Sequence, residues 1–184
     1  TRRSKILQFH FDRPEKLLVH LKMTGQLIYV DPTTRLGGGH PTLDWVQKLP
    51  SKHTRVELAL SGSAKLFFND LRVFGWLRVS TAEEVAQELS SLGPDIIDPK
   101  VTPQYLAEMF KKRSVPIKQV IMDNTIAAGV GNIYANDALN MARISPFRPA
   151  QSLNFSEVES LYHAVYAVIS RGIELGGATI DSFR

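Results

Sequence analysis

Two glycines flank Val130 directly before Asn132, and the run that follows, Asn132-Ile133-Tyr134-Ala135-Asn136-Asp137, suits a helix. A tight turn that feeds a helix leaves backbone N–H groups unsatisfied at the positive end of the helix dipole, and that is the chemistry of phosphate binding. Asn132 stands where a short polar side chain either caps the helix or reaches a phosphate oxygen. By residue type alone, an ordinary turn and cap is the simpler reading. His20-Leu21-Lys22-Met23-Thr24-Gly25 sets a histidine and a lysine on one strand face with a methionine at the strand tip. Alone it describes an exposed polar face above a core methionine. Phe68-Asn69-Asp70-Leu71-Arg72-Val73-Phe74-Gly75 holds an arginine and a phenylalanine in a loop; taken alone, Phe74 belongs in a core. Arg2-Arg3-Ser4-Lys5 and Lys52-His53-Thr54-Arg55 are basic strand starts of the kind that ordinarily face solvent. His10, His20, His40, His53 and His163 are scattered, and no two fall four apart on a credible helix face, so no metal site is expected. No nucleophile elbow supports Ser-His-Asp catalysis.

The elements that must carry these residues divide into two kinds. Ile6 to Phe11 reads as a strand and Asp12-Arg13-Pro14-Glu15 as the turn after it. From Leu17 to Met23 the pattern alternates, with Leu17, Val19, Leu21 and Met23 on one face and Leu18, His20 and Lys22 on the other. Gln26 to Val30 continues as a strand. Pro32 to Pro41, with Gly37-Gly38-Gly39, reads as a loop too glycine-rich to pack. Arg55 to Leu60 and Lys65 to Asn69 form a hairpin across Ser61-Gly62-Ser63, and Trp76 to Val79 is the last strand. Many short strands with polar turns argue for an antiparallel sandwich or barrel.

Helical signals take over after that. Thr81-Ala82-Glu83-Glu84 is a capping-box pattern for a helix to about Leu89. Leu92-Gly93-Pro94-Asp95 ends it, and the segment through Pro99 reads as a linker. Thr102-Pro103 starts a helix to about Lys112 that buries Leu106, Met109 and Phe110, and Pro116 starts the one carrying Lys118. Asn154 with Glu157 caps the longest helix, whose Val158, Leu161, Tyr162, Val165, Val168 and Ile169 form one stripe, and Gly176-Gly177 stops it.

The 184 residues carry a formal charge of +4 and a pI near 9.4, a balance that suits an acidic partner without deciding for nucleic acid. There is no cysteine, which excludes a disulfide framework and a thiolate metal site. No apolar run reaches membrane-spanning length and no secretory signal opens the chain, so the expected location is cytoplasmic.

Lys118, Met122-Asp123-Asn124, Gly129-Val130-Gly131-Asn132-Ile133-Tyr134-Ala135 and Ile144-Ser145-Pro146 together resemble the helix-two-turn-helix element of the formamidopyrimidine-DNA glycosylase family, in its oxidised-purine branch. The resemblance runs from Arg2 to about Phe183. It implies an α+β two-domain fold: an antiparallel β-sandwich, incomplete here, over residues 1–80, a helix and interdomain linker over 81–100, and an all-helical helix-two-turn-helix DNA-binding domain over 101–184. It also implies roles. Asn132 with Gly129, Gly131 and Lys118 would grip the phosphate beside a lesion. His20, with Lys22 beside it, would contact a phosphate, Met23 would wedge into the gap left by an extruded base, and Phe74 would insert between base steps while Arg72 satisfies the orphaned partner. Lys5 would assist proton transfers around the sugar. Lys52, His53 and Arg55 resemble a further backbone-contacting stretch with less specificity. Asp137, where the family more often has glutamate, and Val73, where a second basic residue is common, depart from the pattern.

The implied function is base-excision repair: a glycosylase and AP lyase that releases oxidised purines such as 8-oxoguanine and formamidopyrimidines through a Schiff base. The partner is double-stranded DNA with oxidised bases or abasic sites, with no membrane and no obligate protein partner, and the protein acts as a monomer. The family's members open on a nucleophilic proline and a glutamate and close on a four-cysteine zinc finger. Neither is found here, so the chain is expected to be a fragment that holds no cofactor itself, with one zinc in the full-length protein, and to be inactive. The alternatives are a non-catalytic damaged-DNA-binding module, an oxidised-pyrimidine glycosylase of the same superfamily, and, more remotely, an RNA-binding protein with a similar helical turn.

Overall fold

A computed structural model describes residues 1–177; the end of the sequence, 178–184, lies outside the described residues, and with it most of the segment after Gly176-Gly177. The chain forms two compact units, Thr1–Val85 and Ala86–Arg184.

The first unit is built of two antiparallel four-stranded sheets. One has the order β1 (Arg2–Arg3), β2 (Ile6–Phe11), β3 (Arg13–His20), β8 (Trp76–Ser80); the other has β5 (Arg35–Gly39), β4 (Gly25–Val30), β7 (Lys65–Asp70), β6 (Thr54–Ala59). Leu17 and Val19 from the first sheet and Phe68 from the second form one buried cluster, so the inward residues of both sheets meet in a sandwich core. The hairpin of β6 and β7 turns through Ser61–Ser63 as its sequence suggests.

Three readings of this half are corrected. Residues 12–15 are not a four-residue turn: only Asp12 bends, and Arg13 already pairs with Phe11. The alternation from Leu17 to Met23 does not persist. Leu17, Leu18 and Val19 are all buried, so both faces of β3 are covered at this point; the strand then stops at His20. Lys22 takes a left-handed backbone (φ 50°), which leaves Met23 on a turn instead of a strand face. The glycine-rich stretch is not a loop but the edge strand β5, paired with β4 from Val30↔Arg35 to Gln26↔Gly39. The absent side chains are what allow this packing: a Cβ on Gly37 would lie 2.9 Å from the Trp45 ring.

The helix α1 (Ala82–Ser90) begins with the reciprocal bonds of a capping box, Glu84 N–H to Thr81 Oγ1 (3.2 Å) and Thr81 N–H to Glu84 Oε2 (2.9 Å). The helical unit continues with α2 (Pro103–Lys111), α3 (Ile117–Ile121), α4 (Asn132–Met141) and α5 (Phe155–Glu174). Thr102 caps α2, whose Leu106 and Phe110 are buried while Met109 is only half-buried. The capping box of Asn154 and Glu157 opens α5, and its Val158, Leu161, Ala164, Val165 and Ile169 enter one core with Phe110, Ile117, Val120 and Leu139. Tyr162 and Val168 pack at the margin of that core. Each fully buried Val, Leu or Ile side chain contributes about 1.5–3 kcal/mol, so the stripe on α5 is a substantial part of a core that α2, α3 and α4 share. Among the described residues no helix is long and apolar enough to cross a membrane.

Part of the segment read as a linker carries backbone bonds of the helical unit. Residues 93–96 are bound into the helical unit by an isolated parallel bridge between Asp95 and Ala128, with Ala128 N–H to Pro94 O at 2.8 Å and Ile96 N–H to Ala128 O at 2.9 Å. Backbone groups must find partners where they are buried, and here a segment that composition marks as a connector supplies them.

Candidate nucleic-acid interface

In the sandwich unit the site grows from the ends of the strands. β7 ends on Asp70, which is 1% exposed, and the next five residues form a loop around its carboxylate. Asp70 Oδ1 accepts the Thr24 hydroxyl (2.5 Å) and the Arg72 N–H (3.2 Å), and Oδ2 accepts the Gly75 N–H (2.7 Å). Burial pushes this carboxyl up, but the bonds from Thr24 and from the Gly75, Arg72 and Val73 N–H groups outweigh it and leave it below its ordinary value. The loop is therefore fixed by a charge that is itself fully hydrogen-bonded.

That anchoring presents three large side chains. Phe74 is 54% exposed, contrary to what its residue type alone suggests, and Met23 is 62% exposed. The Arg72 guanidinium sits over the Phe74 ring, 4.8 Å from its centroid, while Nη1 donates to Met23 Sδ at 3.4 Å. Among the described residues Arg72 has no carboxylate partner. Apolar side chains that size normally lie in a core, so two of them held in solvent around a cation form a surface suited to a partner with stacked rings and hydrogen-bonding edges.

Lys5, His20 and Lys22 gather at one end of the other sheet. Lys5 occupies the two-residue turn between β1 and β2, and the next residue, Ile6, pairs with His20. Partial desolvation, and then the ammonium of Lys22, hold the Lys5 amine below the ordinary lysine value. Lys22 N–H donates to His20 Nδ1 (2.9 Å), so the neutral imidazole carries its proton on Nε2. The ring of Trp76 lies 5.9 Å from that of His20. Lys22 thus shares the turn of Met23 and not the strand face of His20.

The less specific group is partly committed inside the protein. His53 Nδ1 lies 2.8 Å from the buried Asp44 carboxylate, and Arg55 Nε donates to the Asp70 carbonyl at 3.0 Å. Lys52 is exposed.

In the helical unit the turn before α4 is held from behind. Gly93 N–H donates to Asn124 O (2.8 Å), Gly129 N–H to Asn124 Oδ1 (3.2 Å) and the Tyr105 hydroxyl to Ile126 O (2.7 Å). Gly129 has φ 109°, a conformation that side chains rarely adopt, and a Cβ on Gly93 would stand 2.5 Å from Ile126 O. Asn132 does not cap the helix. Gly131 is the N-cap, Asn132 is the first helical residue, and no side chain caps that end. Asn132 is exposed, and the N–H groups of this first turn receive no side-chain cap. Lys118 on α3 has its backbone N–H on Pro146 O at 3.3 Å, and its ammonium has no ion pair among the described residues.

Sequence reasoning did not single out Asp70, Thr24, Asn124 or Trp76 as parts of these sites. An aspartate opening a loop that closes on a glycine is a recognisable turn signal for Asp70; nothing local marked Thr24. Among the described residues no group of three or more His, Asp or Glu could hold a metal, and with no cysteine the residues present do not fit a zinc site.

Comparison with known proteins bears on both units. The family model described as the formamidopyrimidine-DNA glycosylase N-terminal domain matches residues 1–77, and the one described as the formamidopyrimidine-DNA glycosylase H2TH domain matches residues 92–184. A formamidopyrimidine-DNA glycosylase of Moorella thermoacetica is 38% identical over 184 residues, covering 99% of this chain and 62% of its own length. Another from Herpetosiphon aurantiacus is 35% identical over 183 residues, with 100% and 62% covered. The chain thus spans about three fifths of such relatives, 62% in both cases. The crystal structure of the Thermus thermophilus homologue is 36% identical, with a TM-score of 0.79 over 98% of this chain and 61% of that one. A Lactococcus lactis formamidopyrimidine-DNA glycosylase, solved bound non-covalently to DNA containing an AP site, has a TM-score of 0.82 at 24% identity over 97% of this chain and 64% of that one, a likeness of fold.

Proposed function

This chain belongs to the formamidopyrimidine-DNA glycosylase family, and on that footing we propose that it is the DNA-gripping part of a base-excision repair glycosylase and AP lyase that removes oxidised purines. The observation that carries the reading is the exposed trio of Met23, Arg72 and Phe74 on a buried carboxylate anchor. Chemistry on a base requires taking it out of the stack, at a cost of a few kcal/mol, and leaves an unpaired partner and a gap. Phe74 and Met23 are apolar wedges of the kind that fill an opened base step, and the Arg72 fork matches a base edge. Asn132 and the amides of the Gly129 to Gly131 turn suit a backbone phosphate, with Lys118, His20 and Lys22 adding phosphate contacts. Lys52, His53 and Arg55 are assigned a weaker backbone role, since two of the three already have internal partners.

Lys5, whose amine is lowered by partial desolvation and by the Lys22 ammonium, is assigned to proton transfers near the sugar. In the family the attack on C1′ falls to a proline amine assisted by a glutamate; the Pro-Glu pair of these 184 residues, Pro14-Glu15, lies inside β3, where the proline nitrogen is a backbone amide and no nucleophile. The polypeptide is therefore assigned recognition of abasic and oxidised sites in duplex DNA without strand cleavage, in the bacterial cytoplasm, as a monomer. The zinc of full-length relatives is assigned to residues other than these.

The test is binding and borohydride trapping on one pair of duplexes. The expected result is tighter binding to an abasic duplex than to the intact one, with no covalent adduct. Equal affinity for the two duplexes, or a trapped adduct, overturns the assignment.

A further inference from the structure

Thr24 stands between two parts of the surface that the sequence separates by almost fifty residues. Its hydroxyl donates to Asp70 Oδ1 (2.5 Å) and accepts the Arg72 N–H (3.0 Å), which also reaches Asp70 Oδ1 (3.2 Å). The three groups form a closed triangle. Asp70 Oδ2 takes the Gly75 N–H (2.7 Å), so one carboxylate holds the loop at its start and at its end. Thr24 is also the residue after Met23, and Gly25, the next, pairs with Asp70 across the sheet. The turn bearing Met23 and the loop bearing Arg72 and Phe74 therefore share a buried anchor, besides the contact of Arg72 with Met23 Sδ at their tips.

We propose that Thr24 and Asp70 are positioning residues that lock the Met23 turn to the Arg72 and Phe74 loop, so that the three gap-filling side chains engage DNA as one preformed unit. Asp70 does not reach the partner itself, being 1% exposed with its carboxylate oxygens bound to Thr24 and the loop backbone, and the half-buried Thr24 spends its hydroxyl on Asp70 and on the Arg72 N–H. The physical ground is that a rigid constellation loses less freedom on binding than two independent loops, each of which must be ordered as it inserts. Coupling of this sort appears as non-additivity between residues that share a network.

This inference rests on the reading of Met23 and Arg72 as gap-filling groups, and the experiment separates the two. Binding of the 184-residue chain to an abasic duplex is measured for Met23→Ala, Arg72→Ala and the double variant, first with Thr24 present and then with Thr24→Val, which keeps the shape and removes the hydroxyl. With Thr24, the double variant is expected to depart from the product of the single losses by about threefold or more. With Thr24→Val the effects become multiplicative within about twofold, and Thr24→Ser, which restores the hydroxyl, restores the coupling. Each variant is compared at matched thermal stability, and a Thr24→Val protein too unstable to bind is replaced in the cycle by Thr24→Ala, which removes the same hydroxyl and leaves room for water at the Asp70 carboxylate. Coupling that survives loss of the anchor, or is absent from the start while both single losses are large, overturns the shared anchor. If neither Met23→Ala nor Arg72→Ala weakens abasic binding, the gap-filling reading falls and this inference with it.

Discussion

Gly93→Ala probes whether the turn before α4, the one assigned to phosphate binding, is held from behind. A Cβ at this position would stand 2.5 Å from Ile126 O and 2.6 Å from Thr125 O, both backbone atoms that no rotamer change can move aside. Accommodation requires the 93–96 segment and the 124–128 turn to separate, which strains three bonds: Gly93 N–H to Asn124 O (2.8 Å), Ala128 N–H to Pro94 O (2.8 Å) and Ile96 N–H to Ala128 O (2.9 Å). At about 0.5–1.5 kcal/mol each, losing them costs about 1.5–4.5 kcal/mol, comparable with the overpacking cost of an added methyl in a tight interior. For a unit of this size that corresponds to a fall in melting temperature of about 6 °C or more. Thermal unfolding followed by circular dichroism reads it directly. Gly38→Ala is the control, because a Cβ there meets nothing within 4 Å. If Gly93→Ala melts within about 2 °C of the parent, the clamp does not exist as described.

Met23→Ala and Phe74→Ala, both at exposed positions, should leave stability within about 0.5 kcal/mol of the parent yet weaken binding to an abasic duplex, as titration calorimetry and a fluorescent duplex would show. Because Gly131 and not Asn132 caps α4, Asn132→Ala should leave the melting temperature unchanged while lowering DNA affinity; Lys118→Ala should reduce the slope of log affinity against log salt by about 1, and an unchanged slope removes it from the phosphate contacts. Asp31 is held at a pKa of about 2 by the Thr33 N–H and the Tyr29 hydroxyl, below its unfolded value of 3.8. Its contribution to stability is therefore complete above the unfolded value and lost as pH falls toward about 2. The stability gap between the parent and Asp31→Asn should close over that window in acid titrations of unfolding; a gap independent of pH contradicts the assignment.

The sandwich and the helical unit were legible because their signals are local. Thr81 with Glu84, Thr102 with Pro103, and Asn154 with Glu157 each announce a helix start within four residues, and all three helices begin there. What the sequence hid is decided by neighbours remote in the chain. Gly37-Gly38-Gly39 looks unstructured until Trp45 covers it and β4 pairs with it. Leu18 breaks the alternation because the second face of β3 is covered as well, and that cover comes from residues remote in the chain. The same holds at the sites. The motif around Asn132 is contiguous and was found whole, whereas Asp70, the group that makes Phe74 project into solvent, acts through Thr24, and no spacing rule links the two.

Val73 carries a further consequence. It has φ 59° and is 61% exposed, so a β-branched residue sits in left-handed backbone without burial to compensate it. Such a residue is uphill by about 1–2 kcal/mol and tends to rotate back toward the extended region. The loop then behaves as a loaded spring behind a latch. Weakening the latch lowers the cost of returning Val73 to the extended region, a rotation whose lever arms are the guanidinium on one side and the benzyl ring on the other.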